Sequence, residues 1–328
     1  MNRITIYTLK ALRKVYLRVC PSEKRIAIEF DSNPNSVSQS IIDNLESDKP
    51  IMIARLGATE LSCLCNYKGI QEQDNILSKY IQGNTFEWWW EPKIVKQMQQ
   101  WSGFFPPTTP ALEHFCEIML SDIPQVDILG SWLSDESFFK DELANSKKIQ
   151  LLFLDPFWSK VPWTKALEGK NILVVHPFSE AIKNQYSKRE LLFANKDVLP
   201  KFKSLTLIKA VQSLGQAHDQ FRDWFEALDY MKSEIDKVDF DICLIGCGAY
   251  GFPLAAYVKR IGKKAIHMGG SLQLLFGIKG KRWENPFFGA IELGAQNMYP
   301  QLMNEYWIYP GEETKPKNAD QIEGACYW

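Results

Sequence analysis

Along most of the chain, short continuous apolar runs alternate with longer stretches whose apolar residues recur three or four positions apart. Pro50–Ala54 (PIMIA) is the first such run bounded by turn residues, and it predicts a buried strand. Further runs follow at Asp127–Leu129, Gln150–Leu154, Asn171–Val175, Leu205–Ile208, Asp241–Ile245 and Lys264–Met268, most of them separated by segments of helix length. About seven strands alternating with helices predict an α/β fold with a Rossmann-like, mostly parallel doubly wound sheet. The part before Val126 is richer in helical spacing. Helices are expected over Val37–Leu45, Thr59–Asn66, Gln71–Gln82, Pro92–Trp101 and Ala111–Leu120, the last after the break Pro106-Pro107-Thr108-Thr109-Pro110.

At the N-terminus, Ile4, Ile6, Leu9, Leu12, Tyr16 and Val19 recur at near-helical spacing among Arg3, Lys10, Arg13, Lys14 and Arg18. The pattern is too broken to span a bilayer and lacks a small-residue cleavage site. It reads as a basic amphipathic helix, for which an anionic membrane face and an ordinary packing or dimerisation role are the two readings. At the other end, Asn304–Trp328 carries Pro310, Gly311 and Pro316 and closes on Ala325-Cys326-Tyr327-Trp328, which predicts an irregular strap laid over something apolar.

Composition narrows the classes. With 45% hydrophobic and 23% charged residues over 328 positions, collagen-like, disordered and polytopic membrane chains are excluded. Lys and Arg number 38 against 39 Asp and Glu, so no whole-surface basic footprint for nucleic acid exists. The seven cysteines lack paired zinc-site spacing and form an odd set, which suits a reducing cytoplasm. Neither a disulfide framework nor a structural zinc is expected.

The chemistry-bearing residues gather at predicted strand ends. Gly246-Cys247-Gly248-Ala249-Tyr250-Gly251 follows the strand ending at Ile245 and precedes a helix, a place where glycines admit a phosphate to backbone amides. A dinucleotide site also needs an acid at the end of the next strand, where Ile266, His267 and Met268 stand instead. His267-Met268-Gly269-Gly270-Ser271-Leu272-Gln273 is a second such turn. A third is His176-Pro177-Phe178-Ser179-Glu180, with Ser179 the expected N-cap and His176 a candidate acid or base. The first strand is followed by Arg55-Leu56-Gly57-Ala58-Thr59-Glu60, which sets one cation and one acid at a turn. Its two readings are a pocket rim and a local Arg55–Glu60 pair. All these residues are expected on one edge of the sheet. The run Phe86-Glu87-Trp88-Trp89-Trp90 is expected to serve an acceptor or partner surface, with burial between helical layers as the other reading.

The block Ile-Ala-Arg55-Leu-Gly57-Ala-Thr-Glu60-Leu resembles the N-terminal Arg-Tyr-Gly-Asp-Gly-Glu motif of the GT-D-type bacterial glycosyltransferases, and Lys264–Gly270 resembles that family's closing strand and loop. Val-Val-His176-Pro-Phe-Ser, Ala-Val-Gln212-Ser, the Gly246–Gly251 loop and the ending Gly324–Trp328 resemble GT-D-like proteins encoded with capsule and O-antigen enzymes. The resemblance implies a catalytic domain over about 50–303 with a helical insertion near 59–121, preceded by the helix and linker of 1–49 and followed by the strap 304–328. It implies a nucleotide-sugar donor, a surface-polysaccharide or lipid-linked acceptor, and work at the cytoplasmic side of the inner membrane, with self-association open.

Within that resemblance, Glu60, His176 and Arg55 are the candidate catalytic residues. Arg55, Gly57, Ser179, Gly246, Gly248, Tyr250, Gly251, His267, Gly269, Gly270 and Gln273 are the candidate donor-binding residues. The family motif's Asp is associated with a divalent metal, but Ala58 stands in its place and only Glu60 remains, so Mn²⁺ or Mg²⁺ is disfavoured. His267 likewise stands where that branch carries Asp. Two other classes stay open: a non-catalytic glycan- or partner-binding module, and another nucleotide-using Rossmann enzyme such as a methyltransferase or dehydrogenase.

Overall fold

A computed structural model describes residues 2–20, 28–72, 74–213, 219–311, 315 and 326–328. Seven strands form one sheet: β1 (Ile51–Ala54), β2 (Ile128–Ser131), β3 (Lys147–Gln150), β4 (Asn171–His176), β5 (Ser204–Lys209), β6 (Ile242–Ile245) and β7 (Lys264–His267). Their order is β3-β2-β1-β7-β6-β4-β5, and every pairing is parallel, so all strand ends point to one edge. The sheet is therefore wholly parallel rather than mostly so. β1 and β7, the first and last strands of the chain, lie side by side, with Ile53 opposite Ile266.

Successive strand residues alternate between two cores, as the period of two demands. Met52, Ala54, Leu173, Val175, Cys243, Ile245 and Ala265 face one layer of helices. Ile51, Ile53, Ile172, Val174, Ile242, Leu244 and Ile266 face the other. The first layer comprises α3 (Ala58–Gln71), α5 (Pro92–Gln100) and α6 (Thr109–Asp122), together with α9 (Trp224–Asp236) and α10 (Gly251–Arg260), while α4 (Ile76–Ile81) lies outside this core. The second holds α2 (Pro34–Glu46), α7 (Ser179–Tyr186), α8 (Arg189–Leu192) and α11 (Leu272–Leu275). Burial on both faces explains why the strands read as unbroken apolar runs.

One expected strand is corrected. β3 ends at Gln150, whose amide donates to the Asp31 carbonyl at 3.0 Å, and Leu151–Leu154 forms a 3₁₀ turn. Phe153 and Leu154 are buried either way, and a buried run of four apolar residues carries no period that separates strand from turn.

The aromatic run Phe86–Trp90 is neither helical nor fully buried. The Asn66 side chain fixes it, its amide donating to the Glu87 and Trp89 carbonyls at 2.9 Å while its oxygen accepts from the Glu91 amide at 2.9 Å. Trp88 and Trp89 then pack edge-on to Tyr80, at 5.2 and 5.4 Å between centroids. α1 (Arg3–Val19) rests on the same ring, with the Arg13 guanidinium 4.5 Å above it. Among the described residues no helix is long and apolar enough to cross a membrane. Of the strap, Pro316, Gly324 and Ala325 lie outside the described residues, whereas Tyr327 and Trp328 pack back onto the strand ends.

Candidate functional site

A cavity of about 910 Å³ opens at the carboxyl edge of the sheet. Arg55, Gly57, Glu60, His176, Gly246, Gly248, Tyr250, His267, Gly269, Gly270 and Gln273 all line it, drawn from the ends of β1, β4, β6 and β7. Two expected residues do not. Ser179 is the first helical residue of α7 and is buried, and Phe178 occupies the cap position that Ser179 was expected to fill. Gly251 lies against the His267 ring, where a Cβ would overlap the imidazole, so this glycine serves the packing of α10 on β7.

Close packing of backbones builds the floor. A Cβ on Gly246 would stand 2.6 Å from the Gly269 carbonyl and 2.8 Å from His176 Cδ2, so the ends of β6, β7 and β4 meet only because this residue is glycine. Gly248 and Gly269 hold φ of +57° and +69°, a region that L side chains avoid.

Arg55 crosses this floor. Its side chain passes 3.5 Å from where a Gly269 Cβ would sit, and its guanidinium lies 5.3 Å over the Trp132 ring. Among the described residues it makes no ion pair or hydrogen bond. Glu60, in the first turn of α3, folds back so that its carboxylate fills the space a Gly57 side chain would need, and it too has no such partner among the described residues. The local Arg55–Glu60 pair is not formed. A half-buried cation and a half-buried acid thus face the cavity with their hydrogen-bonding capacity unspent.

The histidines require correction. Both are buried and held neutral, because burial pulls each imidazole down to about 3. For His267 the neighbouring Arg55 charge pulls the same way. His176 Nδ1 accepts from the Phe178 amide at 3.0 Å, which leaves the proton on Nε2. It is a neutral donor there and not a general base. His267 Nδ1 lies 3.3 Å from the Ile245 carbonyl, which can only accept, so its proton is committed. His267 brings no positive charge to a phosphate.

Several lining groups were missed from the sequence. Ser131 ends β2 and donates to Glu136, whose carboxylate also accepts from the Trp132 and Leu133 amides at 3.3 and 3.2 Å. Burial pushes the Glu136 carboxyl up, against those hydrogen bonds and the Arg55 charge. Trp132 is anchored by its indole, which donates to the Leu56 carbonyl at 3.0 Å, yet the residue stays 45% exposed, and both it and Trp101 line the cavity. The rule that pointed to the other strand ends would have found Ser131 and Trp132 two and three positions beyond Leu129.

The terminus closes the far side. Tyr327 lies on Gly270, which has no room for a side chain beneath that ring, and Arg282 stacks on Tyr327 at 5.0 Å. Gln273 ties the strap down, its amide nitrogen 2.7 Å from the Lys279 carbonyl and 3.2 Å from that of Tyr327. Its buried Oε1 has no partner among the described residues. The aromatic run Phe86–Trp90, by contrast, lines no part of the cavity.

A family model for the GT-D fold-like domain matches residues 32–275. No curated protein and no solved structure matches the chain. The matched span covers most of the chain, which therefore belongs to the GT-D-like family and has a glycosyltransferase-like fold. For the divalent ion that the resemblance implies, the residues do not fit. Ala58 replaces the motif's Asp, and among the described residues no group of three or more His, Cys, Asp and Glu stands where it could hold a metal.

Proposed function

We propose that this GT-D-like protein is a glycosyltransferase that moves a sugar from a nucleotide-diphosphate donor to the hydroxyl of a surface-polysaccharide or lipid-linked glycan. The observation that carries the reading is Arg55. It is a cation with no ion pair or hydrogen bond among the described residues, laid across the glycine floor where the ends of β1, β6 and β7 converge.

In the reaction, the acceptor oxygen bonds to the anomeric carbon and the bond from that carbon to the diphosphate oxygen breaks. The nucleotide diphosphate leaves with the electron pair. Charge grows on the leaving phosphate, and a guanidinium beside backbone amides in a concave site stabilises that charge more than the ground state. Arg55 and the Cys247 and Gly248 amides take this part, since the Gly246 amide already donates to the Val175 carbonyl at 3.0 Å. The acceptor proton passes to Glu60, whose carboxylate is unengaged among the described residues, because His176 is fixed as a donor. Trp132 and Trp101 offer apolar ring faces for the sugar at the mouth.

One observation favours a second reading. With Ala58 in place of the motif's acid, the same cavity serves a non-catalytic module that binds nucleotide or glycan within polysaccharide assembly. A thermal-shift panel of UDP-, GDP-, dTDP- and CMP-sugars, with NAD and S-adenosylmethionine as controls, separates the cases, because a ligand of the native state raises the melting temperature by mass action. The transferase reading expects stabilisation by one nucleotide-sugar class, lost in Arg55→Ala, and release of nucleotide when a glycan acceptor is added. Stabilisation without release supports the binding module. Stabilisation by NAD or S-adenosylmethionine alone refutes both.

A further inference from the structure

α1 carries two different faces. Its inner face is half-buried against α4, where Arg13 covers the Tyr80 ring at 4.5 Å and Lys10 pairs with Glu91 at 2.6 Å. Its outer face is bare: Ile4, Tyr7, Leu12, Val15 and Val19 are 78, 71, 53, 61 and 78% exposed. At about 100° per residue these five fall within an arc of about 140°, an exposed face that they share with Thr8, Ala11 and Arg18. Lys14 is exposed on the flank of this face and Arg18 within it, neither with an acidic partner among the described residues.

Five large apolar side chains in water over a single helix are costly, and scattered surface hydrophobes do not line up in this way. Charge selects the occupant. Between Arg3 and Val19 the helix has five basic residues and no acidic one. A second copy pairing through the same face would set cations beside cations, whereas an anionic lipid surface supplies the missing counter-charge and accepts the apolar side chains at the boundary of headgroups and acyl chains. The inner-face contacts to Tyr80 and Glu91 fix the helix to the body of the protein, so the outer face is held outward rather than collapsing inward.

We propose that the outer face of α1 docks the protein on an anionic membrane, lying in the interface plane without crossing it. Docking is independent of nucleotide binding, since α1 contributes nothing to the cavity lining. The chain nonetheless returns to the cavity soon after the helix, at Ile28 and Phe30.

The test is co-sedimentation of the full chain with vesicles of mixed phosphatidylglycerol and phosphatidylcholine, against vesicles of phosphatidylcholine alone. Binding to the anionic vesicles is expected to exceed binding to the neutral ones by roughly tenfold or more and to weaken in high salt. Tyr7→Glu/Val15→Glu and, separately, Lys14→Glu/Arg18→Glu are each expected to lose it by a similar factor. These side chains point outward, so circular dichroism and melting temperature should match wild type, and nucleotide stabilisation should persist in both variants. Equal binding to both vesicle types overturns the proposal, as does anionic binding that survives Tyr7→Glu/Val15→Glu. A dimer seen by light scattering that Val15→Glu abolishes, with no vesicle binding by wild type, assigns the outer face to a second copy instead.

Discussion

The two edges of the sheet invite opposite guesses from charge alone. The amino edge has a dent of about 230 Å³ lined by Lys49, Lys170, Lys263 and Lys264, four cations in a small space. The carboxyl edge has chiefly Arg55 and the strap-bound Arg282. Yet two of the four are spent, and the other two, Lys49 and Lys170, stand exposed to solvent. Lys264 donates to the Leu45 and Ser47 carbonyls, capping the end of α2, and Lys263 donates to the Phe240 carbonyl at 2.7 Å and pairs with Asp239. What separates a site from a charged surface here is unspent hydrogen-bonding capacity in a concave place, not the number of charges.

The largest effect that tests this contrast is acid. His176 and His267 sit at the carboxyl edge and stay neutral down to about 3, below their ordinary 6.5. The unfolded chain binds their protons first, so their contribution to stability is complete above about 6.5 and is lost as pH falls toward 3. For a group so buried the loss is up to about 5 kcal/mol each by pH 3. Asp122 and Asp155, pushed up to about 6 by burial, act with the opposite sign between about 4 and 6 and blunt the wild-type profile. The measurement is therefore a difference: denaturant unfolding of His267→Gln and wild type at pH 7 and pH 4. The variant is expected to lose less stability on acidification, and parallel profiles would mean that His267 is already charged when folded.

Next in size is the cation itself. Arg55→Ala should weaken nucleotide affinity by about 2–3 kcal/mol, as loss of a charged hydrogen-bond donor to a phosphate does, and calorimetry reads it directly. Lys263→Ala at the opposite edge should leave affinity within about twofold, a few tenths of a kcal/mol. A larger loss from Lys263 than from Arg55 would reverse the comparison and move the donor to the amino edge.

Which parts of this were legible in sequence follows from where the information lies. Six of the seven strands fall where short apolar runs predict them, because burial on both faces leaves an unbroken local signature. Leu151–Leu154 carries the same signature and is a turn, since only pairing with a neighbour distinguishes the two. In the site, Arg55, Glu60 and the two glycine loops were readable because strand ends are local features. Tyr327 over Gly270 and Gln273 holding the strap were not, as each depends on a tertiary contact. The histidine roles failed for a related reason: their protonation is set by burial, which adjacent residues do not reveal.

A smaller effect compares two glycines. Gly262 at the amino edge has φ of +82° with open space around it, so Gly262→Ala costs only the left-handed backbone, about 1 kcal/mol. Gly246 at the carboxyl edge has ordinary φ, but its Cβ would press on the Gly269 carbonyl and His176, and overpacking of this kind costs about 1–3 kcal/mol. The two stabilities will be of similar size, and the contrast is in function. Gly246→Ala should also lose nucleotide affinity because it parts the floor beneath Arg55, whereas Gly262→Ala should not. Equal affinities in thermal-shift titrations would show that the floor does not touch the ligand.

The smallest expected effect is that of chelation. Mg²⁺ and Mn²⁺ favour several hard oxygen ligands, and the Arg55–Glu60 turn offers one carboxylate with Ala58 where a second would stand. Charge on the leaving diphosphate then rests on Arg55 and the loop amides, which EDTA does not remove. Donor hydrolysis or transfer should change by less than about twofold in excess EDTA, a few tenths of a kcal/mol in barrier. Glu60→Gln should cost less donor affinity than Arg55→Ala, because it alters the proton acceptor and leaves the anion's partner in place. Activity that vanishes with EDTA and returns with Mn²⁺ would place a second acid at the cation, with Glu292 across the cavity as the carboxylate to mutate first. Arg55 would then be a helper to the metal rather than its replacement.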